Sequence, residues 1–152
     1  MQLIVSDYIK HNPTQSQRLA EATDVIAWFN NHSFALHLLY AEEKTYPQFK
    51  DTILTLIKAC ITRWNSHVLA VKRLNVLRQP LQTTAFKHTA QLREAAGKTH
   101  NLKAKADKII ATITRQSFWD DLEVYVNPFY CVDGTLNEIQ YSLSYRAACR
   151  WR

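Results

Sequence analysis

The side chains with the widest chemical repertoire in this sequence are its histidines, cysteines and clustered carboxylates, and their spacing limits what they can do. The six histidines, at positions 11, 32, 37, 67, 88 and 100, include no pair at i,i+4, and Cys60, Cys131 and Cys149 form no Cys-x-x-Cys. A tetrahedral zinc site needs ligands at such spacings, and His32 and His37, five apart, fall on different faces of a helix. No metal centre is expected. Asp120, Asp121 and Glu123 crowd the first turn of a predicted helix, where the macrodipole favours negative charge. Glu42-Glu43 reads as a solvated helix end. The sequence contains no Gly-x-Ser-x-Gly elbow and no Gly-Lys-Ser phosphate loop. No catalytic residue is expected.

Binding is better served than catalysis. Residues 1–46 hold three Lys/Arg against five Asp/Glu, residues 47–116 hold thirteen against three, and residues 117–152 hold three against five. The net +6 is therefore concentrated in a central block of +10 between two blocks of −2. Such a block can neutralise phosphates, or it can be an ordinary solvated basic face. Inside it, Arg63-Trp64 stands just before a predicted helix start at Ser66. Backbone amides at a helix start and an arginine can hold phosphate, and an exposed indole can stack on an unpaired base. The other reading of the same pair is a core tryptophan beside an ion-paired arginine.

The elements that must position these residues are helical. The chain has 152 residues, 47% of them apolar, and only two glycines and four prolines. Glycine this scarce excludes nucleotide-cradling loops and glycine-rich β architectures. The pattern predicts an all-α, irregular multi-helix region of six to eight helices, one helical unit over residues 1–152. Leu3–Lys10 forms a short first helix, closed by Pro13. Thr14 caps the next, whose core face is Leu19, Ala22, Ile26 and Phe29. Ser33 caps another through Phe34, Leu38 and Ala41, and Thr45-Tyr46-Pro47 makes a turn. Residues 51–61 are rich in Ile and Leu without clean periodicity, which favours helix over a short strand.

Ser66 caps a helix with Ala70, Leu74, Leu77 and Leu81 inward, Lys72 on the opposite face and Arg73 and Arg78 on the flanks. Pro80 kinks or divides that helix from the stretch 83–96. Residues 97–101 form the main loop, flanked by Lys98, Lys103 and Lys105. The following helix turns Ala106, Ile110 and Ile113 inward and Lys108 and Arg115 outward. Ser117 with Asp120 opens a helix with Phe118, Leu122, Val126 and Phe129 on one face, and a last helix carries Leu136, Ile139, Leu143 and Ala147. The lack of a signal peptide, a membrane span or a cysteine framework leads to the expectation of a soluble protein in a reducing compartment.

Thr62-Arg63-Trp64-Asn65-Ser66, followed by Arg73-Leu74 and Leu77, resembles the Thr-Arg-Trp-Asn-Ser signature of hAT-superfamily DNA transposases. Residues 1–7, the stretch Val25–His32 and the stretch from Lys108 to Leu122 with its Phe118-Trp119 are similar to further segments of that family, in the same order. The resemblance runs to about residue 130; Val132–Arg152 departs from the pattern and reads as a degenerate tail. It implies the start of the helical insertion within a ribonuclease-H-like catalytic domain. The family's two catalytic Asp and one Glu, which hold Mg or Mn, would lie outside this chain, so no cofactor and no independent catalysis are expected here. Trp64 would match the residue that stabilises a flipped base at the transposon end, with Arg63 as its neighbour.

The expected DNA-contacting set is Arg63, Trp64, Lys72, Arg73, Lys98, Lys103, Lys105 and Lys108. The expected partners are DNA and a full-length transposase, with no membrane and no small-molecule substrate. The nucleus is the expected location, with the cytoplasm as the alternative. A standalone nucleic-acid-binding module and a remnant that regulates an intact transposase are the alternative functions.

Overall fold

The computed structural model describes residues 13–59 and 64–123. The predicted helices over residues 3–10 and 136–147, together with Arg63, Val126, Phe129 and the tail, lie outside those residues. Among the described residues there is no β-strand, and all regular structure is helical. We number the helices α1 (Pro13–Asn31), α2 (Ser33–Glu43), α3 (Trp64–Val76), α4 (Arg78–Lys87), α5 (Thr89–Ala95) and α6 (His100–Thr114), followed by α7 over residues 116–123.

Helix α1 starts at Pro13, one residue before the predicted cap Thr14; a proline suits the first turn, where its missing N–H would have no partner. Its core face is as the spacing predicts: Ala22, Val25, Ile26, Trp28 and Phe29 are buried, with Leu19 at the edge. His32 ends it. The His32 ring stacks on Trp28 at 4.5 Å and its Nδ1–H donates to the Trp28 carbonyl at 2.7 Å, so the side chain bonds to the helix it terminates. α2 then begins at Ser33, with His32 rather than Ser33 in the capping position.

The inward face of α2 differs from the expected one. Ala35 and Leu39 are fully buried, whereas Phe34 is half exposed and Ala41 stands in solvent. This helix is apolar on most sides, so periodicity does not choose its face; packing against α4 and α1 does. The same packing buries the carboxylate pair Glu42 and Glu43 (7% and 0% exposed), which corrects the expectation of a solvated helix end.

After a 3-10 turn at Pro47–Phe49 the chain runs as an extended strap over residues 52–59, neither helix nor strand. Leu56 plugs the core. With no ladder to join, the strap's backbone is tied by side chains. Glu43 Oε2 accepts from Leu54 N–H (2.9 Å), Arg73 Nη1 donates to Thr55 O (3.2 Å) and Asn30 Nδ2 donates to Leu56 O (3.3 Å).

The predicted row Ala70, Leu74, Leu77 and Leu81 is buried throughout, although it crosses two helices. Pro80 has no N–H for the Val76 carbonyl and its ring crowds that oxygen, so the helix breaks at Leu77 and restarts with Pro80 in the first turn of α4. The stretch predicted over 83–96 is divided again at His88 into α4 and α5. Gly97, at φ +114°, closes α5 in the left-handed region open to glycine. The loop after it is shorter than expected, because α6 already begins at His100.

α6 packs on α1, α4 and α5, burying Ala106, Ile109 and Ile113, with Ile110 at the edge. α7 begins one residue before Ser117 and drives Phe118, Trp119 and Leu122 into the same core. Trp119 Nε1 donates to the Ile113 carbonyl at 2.7 Å. Asp120 and Asp121 fall in the second turn of α7 rather than the first. Among the described residues, no helix is long and apolar enough to cross a membrane.

Candidate nucleic-acid interface

The expected DNA-contacting residues separate into three groups. Lys98, in the turn after Gly97, and Lys103, Lys105 and Lys108 on α6 are exposed, and none is ion-paired with a described residue. At about 100° per residue, Lys105 and Lys108 lie roughly 60° apart on one flank of α6, and Lys103 is on the other flank, roughly 140–160° away. Lys103 borders a cleft of about 360 Å³ between α5 and α6, lined also by Arg93, Glu94, His100, Ala104 and Asp107. Arg93 is bonded to Asp107 across that cleft, which holds its guanidinium above the ordinary range. Among the described residues, the Lys105–Lys108 flank has no such counter-charge.

Lys72 and Arg73 form the second group. Lys72 is 3% exposed and engaged with a neighbour, so its expected place on a solvated face is corrected. The cause is the surroundings of α3, which buries Val68, Ala70, Val71 and Leu74 and so is covered over more than half its circumference. Arg73 reaches back to Thr55 O and lies close enough to Glu43 to favour its charged form. Arg73 braces the strap.

The third group is Arg63-Trp64. Arg63 lies outside the described residues. Trp64 is the first residue of α3, so the helix starts two residues before the predicted Ser66 cap. α3 packs on α1 and α4, and α6 on α1, α4 and α5, so the motif and the lysines are on separate elements braced by a shared pair of helices.

Among the described residues, no three His, Cys, Asp or Glu side chains come close enough to hold an ion. The Asp120–Asp121 pair is engaged elsewhere: Asp120 accepts from Gln116 (2.8 Å) and Asp121 from Arg18 (2.7 Å). Arg18 also binds Glu21 (2.8 Å), and these two carboxylates, Glu21 foremost, hold its guanidinium above the ordinary range. The described residues do not fit the metal pair of a transposase.

Glu43, expected at a solvated helix end, is instead the residue with the most unusual environment. Its carboxyl is fully buried, Oε1 has no hydrogen-bond partner among the described residues, and burial pushes it from 4.5 up to about 7. The Leu54 N–H and Arg73 pull the other way without cancelling that cost. Glu42, beside it, binds Lys87 at 3.1 Å and His88 Nε2 at 3.4 Å. Only the adjacency of two glutamates to an apolar helix could have signalled this. Searches of protein-family models, of curated proteins and of solved structures each find no match to this chain.

Proposed function

We propose that this chain is a DNA-binding helical region of the hAT-transposase type, acting in the nucleus without strand-cutting chemistry of its own. The observation that carries the DNA contact is the group of exposed lysines at 98, 103, 105 and 108, unneutralised by any described carboxylate. The transposase type rests on the resemblance around Thr62–Ser66 and on the ordered segments beside it. Each lysine that meets a phosphate releases a condensed counterion, so affinity falls steeply with salt. On α6 the exposed Ala104 and Ala111 lie beside Lys108, side chains small enough to let the backbone approach a duplex.

The test is DNA binding as a function of salt, for the full chain and for the Lys105→Gln/Lys108→Gln variant. Two lost phosphate contacts should flatten the log–log slope by about 1.8, at about 0.9 per contact on duplex DNA. A slope unchanged by the double substitution, or no salt-dependent binding at all, overturns the proposal. Co-purification with a full-length transposase tests the second expected partner.

A further inference from the structure

Glu43 belongs to no binding surface, yet its placement is chemically costly. The side chain is fully buried at the end of α2, one oxygen holds the Leu54 amide of the strap, and the other has no partner among the described residues. A buried carboxylate with an empty acceptor position is tolerable when neutral and strongly disfavoured when ionised. The strap is the segment bonded to it, through the Leu54 amide.

We infer that Glu43 is a pH-sensitive latch: its neutral carboxyl holds the strap over residues 52–59 closed against α2 and α3, and ionisation favours opening of the strap to water. Arg73 of α3 is the charge that acts on Glu43, and it also bonds to the strap at Thr55 O, so opening separates it from Thr55 as well. The neighbouring groups are otherwise occupied. Glu42 turns to Lys87 and His88 of α4, and Tyr46 bonds Thr83. Lys72 and His67 of α3 are engaged with neighbours of their own. Lys44, Lys50, Asp51 and Lys58 stand in solvent, and α1 contributes the uncharged Asn30.

The free value of 4.5 and the buried value of about 7 set the working range. Between them the opening constant should rise about tenfold per pH unit, because opening releases a proton.

Hydrogen exchange of the Leu54 amide, corrected for intrinsic rates and measured without DNA from pH 5 to pH 8, tests the latch whether or not the chain binds DNA. Protection in the full chain should fall about fortyfold from pH 5 to pH 7, because the slope flattens near each value, and in Glu43→Gln it should stay flat. The same fall in Glu43→Gln, or a flat profile in the unsubstituted chain, overturns the inference. Carbon-13 titration of the Glu43 carboxyl in the unsubstituted chain keeps the test open if the variant fails to fold. A midpoint near 7 is expected, and one below 5 overturns it.

Discussion

Replacing Trp119 by phenylalanine should cost this fold about 2–4 kcal/mol. The ring is fully buried and meets Phe118 edge-on at 5.0 Å, with the Arg78 guanidinium 5.6 Å from its centroid. Its Nε1–H donates to the carbonyl of Ile113, in the last turn of α6, where helix carbonyls lack amide partners from their own helix. Trp119 thus caps α6 from α7. Phenylalanine keeps an aromatic ring in place but removes that donor, leaving a buried carbonyl unsatisfied at about 1–3 kcal/mol. The smaller ring adds roughly 1 kcal/mol of lost burial and residual cavity. For a chain of this size the melting temperature should fall by about 2–4 °C per kcal/mol. Urea unfolding of both proteins at one pH measures the difference directly. A loss below about 1 kcal/mol with an unchanged m-value would refute the capping argument, because the carbonyl would then have found another donor.

Further outcomes follow from the same structure. Glu43 has its folded value raised above its free value, so its favourable contribution is present below about 4.5 and is lost as pH rises to about 7. Chemical denaturation should show about 3 kcal/mol of stability lost across that range and absent in Glu43→Gln; equal pH slopes would contradict it. Gly97→Ala should destabilise by about 1–2 kcal/mol from backbone strain at φ +114°. The added methyl meets only Leu102 Cδ1, at 3.1 Å on a partly exposed side chain that can move, so an unchanged melting temperature would mean the turn adapts. Trp64→Ala should weaken binding to DNA with an unpaired base about ten- to a hundredfold, from stacking worth roughly 1–3 kcal/mol, and leave duplex binding nearly unchanged. Equal loss on both substrates, with a large fall in melting temperature, would make Trp64 a core residue. Purified protein should not cleave DNA with magnesium or manganese; cleavage that is lost in Asp120→Asn would place catalysis in this chain.

Periodicity read the fold well where a helix has one apolar face. Leu19, Ala22, Ile26 and Phe29 on α1, and Ala70 through Leu81 across α3 and α4, point inward as their spacing requires. It failed where the faces are chemically alike. On α2, Phe34-Leu38-Ala41 and Ala35-Leu39 are equally apolar stripes, and the choice between them is made by Glu42 meeting Lys87 and by Tyr46 meeting Thr83, contacts made 37 or more residues away in sequence. The strap was illegible for a related reason: its Ile and Leu fit a helix locally, while its backbone is tied by Glu43, Arg73 and Asn30 from three different helices. Of the candidate site, the exposure of Lys98, Lys103, Lys105 and Lys108 was legible from local pattern. The burial of Lys72 was not, because what covers α3 comes from elsewhere in the chain.

The ion pairs that join α1 to the far end of the described chain also bear on how the molecule is made. Arg18 and Asp121 are 103 residues apart, and Glu21 receives Arg115 at 2.6 Å, so α1 is completed by elements translated long after it. Closing a loop of that length costs entropy before any contact repays it, which places α1 docking among the later steps. Leaving a ribosome amino terminus first, α1 meets α2 and then α3, but the part of its apolar face that packs on α6 stays uncovered until that helix follows. Synthesis, more than refolding of the finished chain, is then the period in which this apolar surface is open to wrong partners.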